Sequence, residues 1–307
     1  MSKRQAAYRT GLRKKSLLKS VLMGLFALVF LSLIPLIYFG LLRSRDNNER
    51  RQLRSLFESG AFEDTYSQSG EFLINKPLDY FFLTIHGFSA YQLAIAQINT
   101  FDTLAYMDEC IWSLRKTLLL GDNLNDGRIF YVLGKAYYYK GREYADLAVK
   151  YLEKAQELYR ANDIPEYLGL AYASIRDYRS SVAAFSDALI GEPSDLLLLS
   201  IAKSYIALDE KDSAKAYLNR CLEVSADSRT AATARVLLGN VLAQSGDLSG
   251  AEKEYLRAIE ENGESAEIHY QLGELYASGG VTTRARAEWR RALRIDPTHG
   301  PARSRLN

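Results

Sequence analysis

The side chains best suited to catalysis or metal binding, histidine and cysteine, are few and widely separated in this 307-residue chain. The histidines are His86, His269 and His299, and the cysteines are Cys110 and Cys221. Zinc sites and disulfide frameworks need such residues in clusters, and motifs for nucleotide binding, zinc proteolysis and serine hydrolysis do not occur. We interpret His86 and Cys221 as packed side chains and His269 as a polar residue of a groove or helix interface. The sequence favours a protein without enzymatic activity, metal or cofactor.

Arginine residues near the C terminus form a candidate basic face. Arg286, Arg290 and Arg294 recur every four residues and therefore share one face of a helix. Arg284 and Arg291 add to the charge of the same segment. Such a face suits an acidic partner or nucleic acid. A solvated outer surface is the simpler interpretation, and we favour it.

An internal repeat predicts the elements that position these residues. Each repeat carries a small residue in its first half, and these residues are Gly134, Gly169, Ala202, Gly239 and Gly273. Each also carries a large apolar residue in its second half, and these are Leu152, Phe185, Leu218, Tyr255 and Trp289. Two antiparallel helices approach closely where a small residue of one receives a large residue of the other. Because the small residues are 33 to 37 positions apart, we predict five helix pairs over about 128–297.

This pattern resembles the tetratricopeptide repeat (TPR), whose unit of about 34 residues carries L-G-x-x-Y, then A-x-x-x-F-x-x-A, then Pro. The resemblance implies an all-α fold, a right-handed TPR α-solenoid of antiparallel helix pairs in which each repeat stacks on the next. We assign five TPR units with a short C-terminal tail to 128–307. A weaker form of the pattern over 55–127 indicates two degenerate TPR-like repeats.

Two departures from the repeat carry their own expectations. Residues 226–229 predict a longer loop between the third and fourth repeats. Residues 300–306 are too short for a full polar capping helix. We therefore expect the apolar face of the last repeat to be partly open or covered by a partner.

In TPR proteins the first helices of the repeats line a concave groove that often binds an extended or helical peptide. Matching those positions places twelve residues of this sequence in a candidate peptide groove. They are Tyr131, Lys135, Tyr138, Tyr139, Glu166, Leu170, Leu199, Lys203, Val236, Asn240, Tyr270 and Glu274. Tyrosine offers a large contact area with a polar tip, although several of these tyrosines would serve equally well as packing between helices. The cations are scattered among acidic residues, so we do not predict the clamp that holds a C-terminal carboxylate in some TPR domains.

An uncharged run of 23 residues, 20–42, precedes the repeats. At about 1.5 Å of rise per residue, a helix of this length crosses the roughly 30 Å apolar layer of a membrane. The run is long for a signal peptide and no small-residue cleavage site follows it, so we predict a transmembrane signal anchor. The flanking segments are then a basic cytoplasmic tail, 1–19, and a charged juxtamembrane linker, 43–54.

The net charge of +2 conceals an uneven distribution. Residues 1–19 carry seven basic and no acidic residues, and 43–54 carry five basic and two acidic ones. Seven against five favours a cytoplasmic N terminus, which places the TPR domain on the periplasmic, extracytoplasmic side of a plasma (inner) membrane. Residues 55–307 then have a net charge of −8, so we expect partners with a basic or tyrosine-binding surface and no nucleic acid.

The leading hypothesis is a membrane-tethered scaffold or adaptor that binds other proteins through the groove or an outer face. Its layout resembles TPR proteins of envelope assemblies, such as translocon–chaperone complexes and periplasmic flagellar motor structures. The alternative is a signal-anchored TPR receptor with its repeats in the cytosol, which the five arginines after the span leave open. Both a homo-oligomer and a hetero-oligomer are compatible with the sequence.

Overall fold

The computed structural model describes residues 44–121, 125–189, 193–262 and 265–307. The secondary structure of these residues is helical, with fifteen α-helices and one short 3₁₀ helix. The predicted basic tail 1–19 and transmembrane segment 20–42 lie outside the described residues. Among the helices that are described, none combines the length and apolar composition needed to cross a membrane. The described residues divide into two compact modules, with the boundary between Leu93 and Ala94.

The described part of the first module contains three helices, and the third continues three residues past the module boundary. They are α1 (44–58), α2 (Phe62–Asn75) and α3 (Tyr80–Ala96). Leu53 of α1 and Phe82 of α3 are wholly buried in one apolar cluster. The Arg50 guanidinium donates to Asp79 Oδ2 at 2.5 Å and lies 5.1 Å from the ring centroid of Phe82. Most of the segment that the sequence assigns to a linker is therefore helical, because its charges pair within the module and Leu53 anchors it.

The described residues of the second module form one helix, five helix pairs and a short final helix. These are α4 (Thr100–Leu119), α5 (Gly127–Tyr139), α6 (Ala145–Leu158), α7 (Ile164–Ser174), α8 (Tyr178–Ala188), α9 (Asp195–Ala207), α10 (Lys211–Val224), α11 (Ser228–Gln244), α12 (Leu248–Asn262), α13 (Ala266–Ser278), α14 (Thr282–Ile295) and α15 (Gly300–Leu306). The turn between α5 and α6 is longer than the turns within the other repeats, and it contains the 3₁₀ helix Arg142–Tyr144. Each first helix packs against its own second helix and against the first helix of the next repeat. The first helices α5, α7, α9, α11 and α13 therefore lie side by side.

The predicted contacts between small and large residues hold the pairs together. A β-carbon placed on Gly169 would lie 2.4 Å from Cδ1 of Phe185, and one on Gly273 would lie 2.3 Å from Nε1 of Trp289. Phe185 is wholly buried. The prediction of an all-helical stack of TPR-like pairs is confirmed for the described residues.

The structure differs from both expectations drawn from the irregular segments, the longer loop near 226–229 and the open face of the last repeat. The extra residues near 226–229 extend α11 rather than a loop, because Asp227 caps the helix by accepting from the backbone N of Thr230 at 2.9 Å. The C-terminal tail forms α15, which buries Ala302 and packs Leu306 against the cluster around Trp289. The last repeat is thus covered by the chain's own tail, since seven residues suffice to place one alanine and one leucine on its apolar face.

Candidate functional site

Four tyrosines and a lysine form a tyrosine cluster between α5 and α7. Its members are Tyr131, Lys135, Tyr138 and Tyr139 of α5, and Tyr167 of α7. The Lys135 ammonium lies 4.2 Å from the ring centroid of Tyr167 and 4.9 Å from that of Tyr131. These distances allow attraction between the cation and the ring faces.

Asp163, just before α7, completes the charge balance of the tyrosine cluster. Lys135 Nζ donates to Asp163 Oδ2 at 2.8 Å and to the Tyr131 hydroxyl at 3.0 Å. The Tyr131 hydroxyl in turn donates to Asp163 Oδ2 at 2.8 Å. Lys135 is buried, so its ammonium serves the α5–α7 interface and is not presented to a ligand.

The outer part of the cluster is aromatic and carries hydroxyl groups. The Tyr138 and Tyr167 rings meet edge to face, with centroids 5.5 Å apart and an angle of 83° between them. The hydroxyls of Tyr139 and Tyr167 are 2.9 Å apart, and Tyr139 is 41% exposed. Rings held in this way offer contact area at little entropic cost, which suits the capture of a peptide.

Burial sets the protonation states of the cluster. It raises the pKa of Tyr131 to about 12, with the Lys135 hydrogen bond acting in the opposite direction. It also raises the pKa of Tyr139 to about 12, aided by the hydrogen bond with Tyr167. For Lys135, burial acts to lower the pKa, but the hydrogen bonds to Asp163 and Tyr131 outweigh it and the pKa rises. The tyrosines stay neutral and the lysine stays charged at neutral pH.

The remaining groove candidates do not form a second cluster. Glu166 and Leu170 are half-buried on α7, and Lys203 is exposed on α9. Leu199 is buried in the core between α9 and α11, so it is closed to a ligand. Three leucines precede Leu199, so the sequence has no polar residue there that would indicate which side of α9 faces outward.

Candidates from the last two repeats are engaged within the chain. Val236 packs against a buried cluster, and Asn240 Oδ1 accepts from the Tyr255 hydroxyl at 2.5 Å. Glu274 accepts from Arg305 Nε of α15 at 2.9 Å. The Tyr270 ring lies 5.3 Å from that of His299. α15 therefore occupies part of the surface predicted to bind a peptide.

The basic face lies on the outer side of α14. Arg286, Arg290 and Arg294 are exposed, and no ion pair joins any of them to another described residue. Arg291 instead pairs with Glu288 at 3.0 Å, and Arg284 lies 5.6 Å from the Tyr276 ring centroid. The interpretation as a solvated outer surface fits this geometry, and a binding role stays a prediction.

His86 and Cys221 are packed side chains and His269 lies in a helix interface, as interpreted from the sequence. His269 Nδ1 lies 2.7 Å from Glu288 Oε2 in the interface between α13 and α14. His86 is buried, with Nδ1 2.9 Å from the Ser69 hydroxyl. Cys221 is a free, buried thiol, and burial raises its pKa to about 11. Such a thiol is little ionised at neutral pH and is therefore a poor nucleophile.

Sequence reasoning missed two members of the site, Asp163 and Tyr167. Both flank Pro165, which stands in the first turn of α7. Their four-residue spacing places them on one helix face, and the repeat register aligns α7 beside α5. That combination of spacing and register could have predicted that Asp163 and Tyr167 lie beside the α5 tyrosines.

Comparisons with known proteins find a match to one family model and similarity to several solved structures. Residues 199–263 and 236–299 match the family model described as tetratricopeptide repeat. A solved C-terminal part of a TPR repeat-containing protein from Cytophaga hutchinsonii is similar, with 15% identity, a TM-score of 0.61, and 84% of this chain and 99% of that one covered. PilW, a widely conserved type IV pilus biogenesis factor, is similar at 16% identity with a TM-score of 0.58, covering 72% of this chain and 98% of PilW.

A third solved structure is YrrB, described as a TPR protein with an unusual peptide-binding site. Its identity to this chain is 23% and its TM-score is 0.50, with 61% of this chain and 95% of YrrB covered. No curated protein matches the chain. At these identities the likenesses bear on the fold alone, and the described helices form a TPR-like stack.

Proposed function

We propose that this chain is a membrane-tethered TPR scaffold that binds partner proteins and holds them beside the membrane. The observation that carries the proposal is the tyrosine cluster, a preorganised aromatic surface on the first helices of a TPR-like stack. Lys135 and Asp163 neutralise each other within it, so the surface selects for contact with rings and hydroxyls rather than for charge. The partner is therefore a peptide segment with apolar or aromatic side chains, and the scaffold has no catalytic step.

The tether and the location rest on sequence. Residues 20–42 would span a plasma (inner) membrane once, with 1–19 in the cytoplasm and the repeats on the periplasmic side. The protein would then belong to an envelope assembly, such as a translocon–chaperone complex or a periplasmic flagellar motor structure. PilW, a type IV pilus biogenesis factor of similar fold, supports this part of the proposal.

Crosslinking in cells followed by mass spectrometry tests the scaffold. The full chain is expected to capture specific envelope proteins. Tyr138→Ala combined with Tyr139→Ala should reduce their yield about tenfold, since interface aromatics are frequent hot spots. Leu256→Ala is the matched control, because Leu256 is 45% exposed on α12, a second helix away from the tyrosine cluster. Failure of the native chain to capture any partner overturns the scaffold, and equal capture by the tyrosine variant overturns the cluster's role.

A reporter that is active only outside the cytoplasm, fused after Asn307, tests the topology. An active reporter supports the periplasmic arrangement. A silent reporter on a membrane-bound chain supports the alternative, a signal-anchored TPR receptor with cytosolic repeats. The tyrosine cluster would serve either arrangement, so the two tests are independent.

A further inference from the structure

α4 has two opposite faces. Its buried face packs into the second module through Met107, Cys110 and Leu114, which are wholly buried. The opposite face exposes Phe101 and Leu119, which are 78% and 85% exposed. A helix of a folded domain normally buries its large apolar residues, so this second apolar face has no evident use within the described chain.

The exposed residues form a narrow stripe along the whole helix, which we call the α4 stripe. Its six positions are Phe101, Ala105, Asp108, Trp112, Arg115 and Leu119, all exposed. Positions four and three apart follow one face of a helix, and the stripe extends over about 27 Å. Ile98, just before the helix, is also fully exposed. Large exposed apolar side chains grouped on one helix face in this way mark interaction sites.

We propose that the α4 stripe pairs in antiparallel fashion with the α4 stripe of a second copy of this chain. In that register position 101 faces 119, position 105 faces 115 and position 108 faces 112. Phe101 then meets Leu119 of the second copy at both ends. Asp108 meets Trp112 of the second copy and lies one turn from its Arg115. The stripe is thus complementary to itself in the pairing of its apolar ends and in charge.

Charge selects this arrangement over a parallel one. A parallel pair would oppose Asp108 to Asp108 and Arg115 to Arg115, which is unfavourable in a helix interface. Asp108 already pairs with Lys140, yet its side chain remains 61% exposed and has oxygen capacity left. Arg115 bonds to Tyr137 and retains further N–H donors. Both side chains can therefore contact the second copy without losing their internal partners.

The size of the stripe indicates a weak dimer. A single helix-to-helix seam of about 27 Å buries less than the roughly 1,600 Å² of a standard stable interface. We expect dissociation in dilute solution and association at high local concentration. Tethering both copies to one membrane, as proposed above, would supply that concentration.

Cysteine crosslinking of the full chain tests the register. Phe101→Cys and Leu119→Cys are prepared separately, mixed, and treated with a short bismaleimide reagent. Antiparallel pairing brings positions 101 and 119 of different copies to the interhelical distance of about 8–10 Å. It also keeps the two copies of position 101 about 27 Å apart. Crosslinked dimer is expected in the mixture and not with either variant alone, and the native chain, with its two buried thiols, gives the background.

Trp112→Glu, introduced into the crosslinking pair, should lower the crosslinked fraction roughly tenfold, because it removes a large apolar side chain and places a carboxylate opposite Asp108 of the second copy. Leu256→Glu on α12 is the matched control and should change nothing. Crosslinking of Phe101→Cys alone would show a parallel pair and overturn the proposal. So would a chain that stays monomeric at high concentration. Quenching of Trp112 fluorescence by brominated lipids in nanodiscs would assign the stripe to the membrane and likewise overturn it.

Discussion

At the scale of single residues, the site depends on a cation that no ligand reaches. Lys135 would be a natural residue to grip an acidic peptide, yet it is enclosed by Tyr131 and Tyr167 and neutralised by Asp163. An ammonium in this position orders the rings around it, because leaving the aromatic faces would cost both the ion pair and the cation–π contacts. The lysine is thus a structural part of the proposed binding surface.

The tyrosines of the cluster should make the fold sensitive to high pH. The folded pKa values of Tyr131 and Tyr139 are about 12, above the ordinary value of 10, so the folded chain prefers their neutral forms. Their contribution to the free energy of unfolding is complete below about pH 10 and is lost as pH rises towards 12. Absorbance at 295 nm is expected to show late ionisation whose amplitude falls when both tyrosines are changed to phenylalanine. The remaining late signal comes from Tyr172, Tyr255 and Tyr276, whose pKa values are also raised to about 12.

The matched measurement is urea unfolding at pH 9 and at pH 11. The native chain should lose more stability between these two pH values than the variant Tyr131→Phe with Tyr139→Phe. An equal loss in both chains would contradict the pKa shifts. The difference between the 295 nm titration curves of the native chain and the variant would also contradict the pKa shifts if its midpoint were near pH 10.

At the scale of helices, the stack depends on close approach between the two helices of each repeat. Gly169 admits the ring of Phe185, whereas the third repeat carries Ala202 with the smaller Leu218. The third repeat accommodates the extra methyl of alanine beside Leu218, whereas the second has no room for it beside a phenylalanine ring 2.4 Å away. We call each such small and large pair a matched set. The first repeat pairs Gly134 with Leu152, and a β-carbon there would lie 2.5 Å from Leu152 Cγ, so the local distance between the helices matters as well as the size of the large residue.

Gly169→Ala should lower the free energy of unfolding by about 1–2 kcal/mol. Overpacking costs about 1–3 kcal/mol, and the better helix propensity of alanine returns up to about 1 kcal/mol. Adding Phe185→Leu should recover part of the loss, which a double-mutant cycle in urea would measure as a coupling energy. Gly300→Ala is the control, because a β-carbon there meets nothing within 4 Å. An additive cycle would contradict the matched-set interpretation.

The same contacts explain what the sequence could and could not predict. The five pairs were predictable because a small residue and its large partner recur in one register, as Gly273 and Trp289 do. Helix α1 was not predictable, since its residues are mostly polar or charged and it is stabilised by distant partners such as Asp79. In the site, the α5 tyrosines followed from the repeat register. Asp163 and Tyr167 required knowing that α7 lies beside α5, and the α4 stripe required knowing which face of α4 is buried.

At the scale of the whole molecule, the two candidate interaction surfaces are exposed, whereas the C-terminal end of the stack is covered. The tyrosine cluster and the α4 stripe stay accessible, whereas the apolar face of the last repeat is closed by α15. A TPR-like stack grows by covering the exposed face of each repeat with the next, so an uncovered last face would invite further association. Closing it confines binding to surfaces along the stack.

Removal of residues 300–307 should therefore loosen the end of the stack and leave its middle intact. The deletion uncovers Trp289 and Ala292, which α15 helps to bury, so amide exchange is expected to accelerate in α13 and α14. Exchange in α5 to α8 should be unchanged, because each repeat contacts only its neighbours. Hydrogen–deuterium exchange with mass spectrometry measures both regions in one experiment. Arg305→Ala is the control, since it removes the ion pair with Glu274 while keeping Ala302 and Leu306 in place. Because that pair is exposed, its loss should change little, and uniform acceleration along the stack after the deletion would show that the repeats unfold as one body.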